Sequence, residues 1–272
     1  MDANAIEVAK TIELHEARVW AACIAATAAI AGNPLLAEVD TSGTTPLCTL
    51  AALNFGIFNR VIALGVQTPA TESDVDSLEE FFRSRMQTRF LVEVTPVSQP
   101  PGLRDDLTRR GIVSTGERVA KFWRSVDSIP ARRPGVDVVK LSRSDREGLL
   151  EVSLRAWSMP KFFGPWFEAT LGREGFHHYG VFADGRLVSS GAMYVSDGVA
   201  WTGFGATLPE YRGRGFQTAR LVALLHEAAA MECRIVHNEA GVGTPGAPNT
   251  SFHNLSKSGF EFIYEKEMYG PT

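Results

Sequence analysis

Apolar and polar positions along the chain fall into two series of short strand-like runs and helical stretches. A long helix is expected to about residue 30, acidic early (Asp2, Glu7, Glu13, Glu16) and apolar from Val19 to Ile30. Strands are expected near 46–55 and 60–64, a helix over 72–85, and a strand near 90–94. A helix near 103–110 and a strand near 114–122 complete the first series. The second opens with a strand at 136–139 and a helix over 142–157, which Ser142 can cap. Three strands follow near 177–182, 187–194 and 199–207, joined at Asp184-Gly185 and Asp197-Gly198, dipeptides suited to tight hairpins. The period then becomes helical over 216–231, where Leu221, Val222, Leu225, Ala228 and Ala229 form one apolar face. A strand at 234–238, a helix, and a strand at 261–268 close the series. Between the two series, Ser125 to Gly135 has the composition of a linker, which predicts domains at 1–130 and 131–272.

The junction of the third hairpin strand with its helix carries the strongest chemical signal, Leu208-Pro209-Glu210-Tyr211-Arg212-Gly213-Arg214-Gly215-Phe216-Gln217-Thr218. The first amides of a helix lack intrahelical partners, and the macrodipole adds partial positive charge there. Glycines at 213 and 215 let phosphate oxygens approach those amides, and Arg212 and Arg214 add charge and bidentate donors. The turn is therefore a candidate pyrophosphate cradle. A P-loop fits worse because no Lys-Ser/Thr pair follows Gly215, and so does a dinucleotide fingerprint, because Thr218 stands at its last glycine and the preceding segments read as antiparallel. The competing reading is a surface turn with solvated arginines.

The run resembles the acyl-CoA-binding segment of the GNAT-type N-acetyltransferase superfamily, Arg/Gln-x-x-Gly-x-Gly/Ala. Arg212, Gly215 and the Pro209-Glu210-Tyr211 lead-in match; Gln217 replaces the usual Gly or Ala. A second segment, Ser251-Phe252-His253-Asn254-Leu255-Ser256-Lys257-Ser258-Gly259-Phe260, resembles the family's later helix, with Gly259 as its C-cap. Leu255 stands where many members carry a proton-donating tyrosine, so that role is not transferred.

The resemblance covers roughly 136–272 and implies an α/β (α+β) fold of mixed, mostly antiparallel sheets flanked by helices. The first half repeats part of the order but has no Arg-x-x-Gly-x-Gly between Leu64 and Thr71. It is read as a degenerate tandem copy, an unrelated α/β domain being the alternative.

The resemblance further implies acetyl-CoA as co-substrate. Its pantetheine arm would run along Gly205, Ala206 and Thr207, and its diphosphate would lie on Arg212, Gly213, Arg214, Gly215, Phe216, Gln217 and Thr218. Ser251 and Asn254 would face the arm from the opposite wall, or act only as turn formers. Gly203 and Gly205 mark either a β-bulge that splays the strands or relief of packing against Trp201 and Phe204. An amine nucleophile must lose a proton, and Glu239, at a strand end, is the leading base candidate, ahead of His253 and Tyr264. Trp157, Phe162, Phe163 and Trp166 fall in a stretch with two prolines that suits an acceptor wall or, equally, packing against the first domain. The Gly241–Pro248 loop is permissive enough to shape the same cleft.

Composition narrows the partners. With 44% hydrophobic and 21% charged residues the chain is globular, and a net charge of −4 argues against a nucleic-acid partner. The 3 cysteines lack metal spacing and read as buried apolar residues in a reducing, cytoplasmic setting; no metal is expected. The apolar run at 19–30 is shorter than the roughly 20 residues a membrane span needs, and no leader pattern precedes it. The expected activity is acetyl transfer to an amine, most simply of a small molecule. A non-catalytic acyl-CoA sensor or scaffold, or an acyltransferase with a longer donor, are the alternatives.

Overall fold

The structure is a computed structural model that describes residues 1–243 and 249–272, so the 244–248 part of the expected cleft loop lies outside the described residues. In chain order the elements are α1 (Ala3–Ala28), β1 (Ala37–Asp40), β2 (Leu47–Leu50), β3 (Arg60–Val61), α2 (Glu72–Ser84), β4 (Leu91–Val94), α3 (Leu103–Arg109) and β5 (Ile112–Ser125). They continue with β6 (Val138–Lys140), α4 (Arg146–Ala156), α5 (Gly164–Glu168), β7 (Phe176–Ala183), β8 (Arg186–Ser196) and β9 (Val199–Thr207). The last are α6 (Phe216–Ala230), β10 (Ile235–Gly241), α7 (Thr250–Lys257) and β11 (Glu261–Pro271).

The chain packs as two units, Met1–Lys121 with Ile263–Thr272, and Phe122–Phe262. The sequence led us to expect a division at 130/131. Two interactions move it. β11 pairs antiparallel with β4 (Glu267 opposite Val94), which carries the chain's last residues into the first unit. The expected linker lies against α6: Arg132 pairs with Glu227 at 2.9 Å, His226 Nε2 is 3.0 Å from the Pro130 carbonyl, and Arg133 Nη1 donates to the Arg214 carbonyl at 2.8 Å.

In the first unit the strand order is β1-β2-β3-β4-β11-β5; β1 with β2, β2 with β3 and β4 with β11 pair antiparallel, and β3 runs parallel to β4. α2 makes the crossover such a parallel pair requires. Its start is closed by a capping box: the Asp74 amide donates to Thr71 Oγ1, and the Thr71 amide donates to the Asp74 carboxylate at 2.8 Å. Val61, Leu78, Phe82, Val92, Leu107 and Tyr269 form the core, with Phe82 stacked on Phe90 at 4.3 Å. Beside it lies a buried polar cluster. Glu16 pairs with Lys121 and Lys266, Glu93 with Arg60 and Lys266, and the Tyr264 hydroxyl donates to Glu13. Among the described residues no helix is long and apolar enough to cross a membrane; α1, the longest, buries Glu13 and Glu16.

In the second unit the order is β10-β9-β8-β7-β6, a meander of antiparallel strands with β10 parallel to β9. The Asp184-Gly185 and Asp197-Gly198 turns sit at positive φ at both residues, the backbone a two-residue hairpin demands. Leu149 and Val152 of α4 pack on Val181, Leu187 and Val188 of the meander. α6 crosses from β9 to β10 as α2 crosses from β3 to β4. The first half thus repeats the strand–helix–strand crossover of the second. The three cysteines are reduced and buried, Cys23 and Cys48 in the first unit and Cys233 in the second.

Candidate functional site

All the residues of the candidate site lie in the second unit. β10 pairs with β9 only from Ile235–Val199 to His237–Trp201, although both strands run on, to Gly241 and Thr207. Beyond His237 the ladder between the two parallel strands ends, Asn238 Nδ2 donates to Thr202 Oγ1 at 2.7 Å just past it, and the unladdered stretch that follows is the slot between them. The β8–β9 ladder breaks at the same level. Its register shifts between Ser190 and Ala192, so that Gly191 on β8 faces both Phe204 and Gly205 on β9. Phe204 takes φ +51°, the left-handed conformation of a bulge residue. Its ring packs edge-on against Trp201 (5.3 Å) and Trp166 (5.6 Å), contacts that hold the residue in a conformation side chains rarely adopt. Of the two readings of these glycines, the bulge holds at Gly205, where it leaves unpaired backbone, whereas a Cβ at Gly203 would lie 2.0 Å from the Trp201 ring, so that glycine relieves packing.

The turn that follows presents its amides outward. Gly213 and Gly215 take φ +76° and +77°, and Gly215 is the N-cap of α6 with no side-chain cap. The first helical bond at this end runs from Ala219 N–H to the Gly215 carbonyl at 3.0 Å. Amides from Gly213 to Thr218 have no hydrogen-bond partner among the described residues. Amides on either side of left-handed glycines form an anion-binding concavity, here on the positive end of a helix of 15 residues. Nothing lies within 4 Å of a Cβ added at Gly213, so that glycine serves the backbone angle rather than space.

The cations about this loop differ in use. Arg212 Nη2 donates to the Ala156 carbonyl at 2.9 Å, tying the loop to the end of α4. Arg214 stacks over Tyr211, 4.7 Å from the ring centroid. Arg155 grips both oxygens of Glu210 at 3.0 and 3.3 Å, fixing the preceding turn. Arg133, in the stretch with linker composition, donates to the Arg214 carbonyl, and a Cβ at Gly215 would lie 1.8 Å from its Nη1. It stands directly at the helix start.

The remaining candidates are spread around this centre. Gln217, at the family's small position, accepts from Asn254 Nδ2 at 2.8 Å and so links α6 to α7. The Ser251 amide is used by the Asn249 cap of α7, while its residue is exposed. Gly259 takes φ +78° and the Phe260 amide reaches back to the Leu255 carbonyl at 3.1 Å, the C-cap the sequence implied. Leu255 is buried. Glu239 is half-buried on β10; continuing the β9–β10 register puts it level with Gly203, across the slot from the bulge. Tyr264 belongs to the first unit, its hydroxyl bound to Glu13, which removes it from this set. Of the aromatic stretch, Trp157 and Phe162 are exposed while Phe163 and Trp166 are buried, Trp166 against the bulge. Ser158, Met159, Lys161 and Gly164 from the same stretch line a groove of about 670 Å³ with Leu150 and Leu154 of α4.

No family model matches this sequence, and no curated protein does. Solved structures share the fold. A GCN5-related N-acetyltransferase from Kribbella flavida superposes with a TM-score of 0.62 at 17% identity, over 92% of this chain and 95% of that one. A tandem GNAT protein from the clavulanic acid biosynthesis pathway gives 0.61 at 16% identity over 100% of this chain and 97% of its own. A GCN5-related N-acetyltransferase from Sphaerobacter thermophilus gives 0.56 at 16% identity, covering 72% of this chain, which spans 66% of that protein's length. At these identities the likeness is one of fold. The chain has the tandem GNAT fold.

Proposed function

We propose that this protein is an acyl-CoA-dependent N-acyltransferase that moves an acetyl group to the amine of a small molecule, working from its second unit. One observation carries the reading: the uncapped amides of Gly213 to Thr218, over two left-handed glycines, open beside the gap between β9 and β10. These residues suit the diphosphate of an acyl-CoA, which when bound supplies an acyl group activated as a thioester. The bulge at Phe204-Gly205 leaves backbone free to pair with the extended arm as an added strand would.

The chain's own groups then orient and deprotonate. An ordinary alkylamine, with a pKa near 10.4, costs about 4–5 kcal/mol to neutralise at pH 7. Glu239, at the level of the bulge, is positioned to take that proton directly or through one water. Alignment of amine and thioester supplies much of the remaining acceleration. Leu255, 2% exposed, offers no acid to the leaving thiolate, so the thiolate would leave to solvent or to a group other than the family's tyrosine.

Gly215→Glu tests the reading. A carboxylate there puts charge and bulk on the anion site, and acetyl-CoA binding measured by calorimetry should fall by at least about 100-fold, or about 2.7 kcal/mol. Thermal melting establishes that the variant folds; unchanged affinity in folded protein overturns the proposal. The absent acid at Leu255 favours a second reading, a non-catalytic acyl-CoA sensor. Release of free thiol across a panel of amines supports the transferase, and binding without turnover supports the sensor.

A further inference from the structure

Arg220 lies in the second turn of α6 and is 2% exposed. Its Nε is sealed from solvent without a hydrogen-bond partner, and the guanidinium has no ion pair among the described residues. Burial, with no neighbouring charge acting on it, lowers its pKa to about 10, so the group remains a cation at neutral pH. A helical face that otherwise reads Leu221, Leu224, Leu225 and Ala228 therefore carries one buried positive charge.

The head of this side chain lies at the bulge. A Cβ at Gly191 of β8 would sit 1.7 Å from Nη1, and a Cβ at Gly205 of β9 would sit 2.6 Å from Nη2. Those two glycines stand where the β8–β9 register slips. Both are glycine because the guanidinium fills the volume that their side chains would need. Gly205 is exposed, so the cation lies immediately beneath open backbone at the mouth of the slot. Arg220 follows Gly215 by five residues, about 7.5 Å along a helix, so it addresses a different part of a ligand from the part the helix start holds. An ionised group buried without a partner destabilises a fold. Such a group is retained where an anion from outside completes it, and a planar guanidinium matches a carboxylate with two parallel hydrogen bonds.

We infer that Arg220 receives a carboxylate borne by one of the two substrates, either at the far end of the acyl chain or on the amine acceptor. The inference rests on the acyl-transfer reading and narrows it: the substrates include a dicarboxylic acyl thioester or an amino acid, rather than two neutral partners.

The test compares wild type with Arg220→Met by calorimetry. One arm titrates CoA, butyryl-CoA and succinyl-CoA; the other titrates CoA-saturated protein with amino acids and with the amines obtained by removing their carboxylates. Wild type should prefer the carboxylated member of one arm by about tenfold or more, and the arm that shows it identifies the source. In Arg220→Met the preference should collapse to about twofold or less, while affinity for CoA itself holds. The ligand-free Met variant should also melt at the same temperature or higher, because it loses an unpaired buried charge. Should it fail to fold, Arg220→Gln gives the same comparison. Absence of preference in both arms, its survival in the variant, or a lower melting temperature for folded Arg220→Met overturns the inference. Failure of wild type to bind any CoA species instead removes the acyl-transfer reading on which it stands.

Discussion

Single residues decide whether the helix start can hold an anion, and Arg133 is the one whose role is least obvious. Its Nη1 donates to the Arg214 carbonyl. A peptide unit is planar, so holding that carbonyl to one side aims the Gly215 amide to the other. Arg133 is thus a positioning residue, with its charge added to the site. Arg133→Ala should weaken CoA binding about 5- to 10-fold, or about 1–1.4 kcal/mol, with Arg133→Lys keeping part of the affinity. Calorimetry checks this, and an alanine variant with wild-type affinity rejects it. The glycine-arginine turn could be read from the sequence because its chemistry is contiguous. Arg133 could not, since it meets Gly215 from more than eighty positions away through a segment whose composition says only that it turns. Arg220 left a fainter trace, a charge at helical spacing with Leu224 and Ala228, visible only once that face is known to be buried.

At the scale of elements, the two crossovers differ in how their helices begin. α6 starts on a glycine with open amides, whereas α2 starts on Thr71 with the Asp74 carboxylate folded back on the cap. A carboxylate at a helix start satisfies donors and repels other anions. This supplies a physical reason for the first unit to offer no counterpart to the anion site proposed in the second. Thr71→Ala should cost about 1 kcal/mol of stability, lowering the melting transition by roughly 3–5 °C, and leave CoA affinity unchanged. A loss of CoA affinity in that variant would count against assigning the ligand to the second unit. Long periodic elements were legible: α1, α2, α6 and the three-strand meander fall within a few residues of expectation. Brief ones were not. β1 has 4 residues, and the strand expected at 46–55 stops at Leu50 because the Ala51 and Ala52 amides turn to the Leu36 and Leu35 carbonyls. The two glycines left a bulge and packing relief as alternatives, and the structure has one of each; the residue at positive φ is Phe204, held there by aromatic contacts no local pattern encodes.

For the whole molecule, buried titratable groups set the response to acid. His178 in the second unit is buried, its Nε2 2.9 Å from Thr170 Oγ1, and burial with the neighbouring His177 lowers its pKa to about 4. The unfolded chain takes up that proton near pH 6.5, before the folded one does. The contribution is therefore complete above pH 6.5 and lost as pH falls toward 4, roughly 3 kcal/mol in all. In the first unit, burial opposes the charge on Glu16, but Lys121 and Lys266 outweigh it and lower the pKa to about 2, so its contribution is lost only between pH 4.5 and 2. Burial raises Glu13, so as that group takes up its proton it favours the folded form and offsets part of the loss. Acid should weaken the second unit first. Melting followed between pH 7 and 4 should show the decline, and His178→Gln should flatten it; an unaltered slope in the variant refutes the assignment. The buried cluster of the first unit also bears on synthesis. Lys266 bridges Glu16 and Glu93, beside Lys121 on Glu16 and Arg60 on Glu93, and it is made long after all of them. The 1–130 half therefore carries Lys121 and Arg60 against these carboxylates but lacks the cation that bridges them, and it lacks β11, which pairs with β4. Expressed alone as 1–130, it should yield aggregates instead of a cooperative fold.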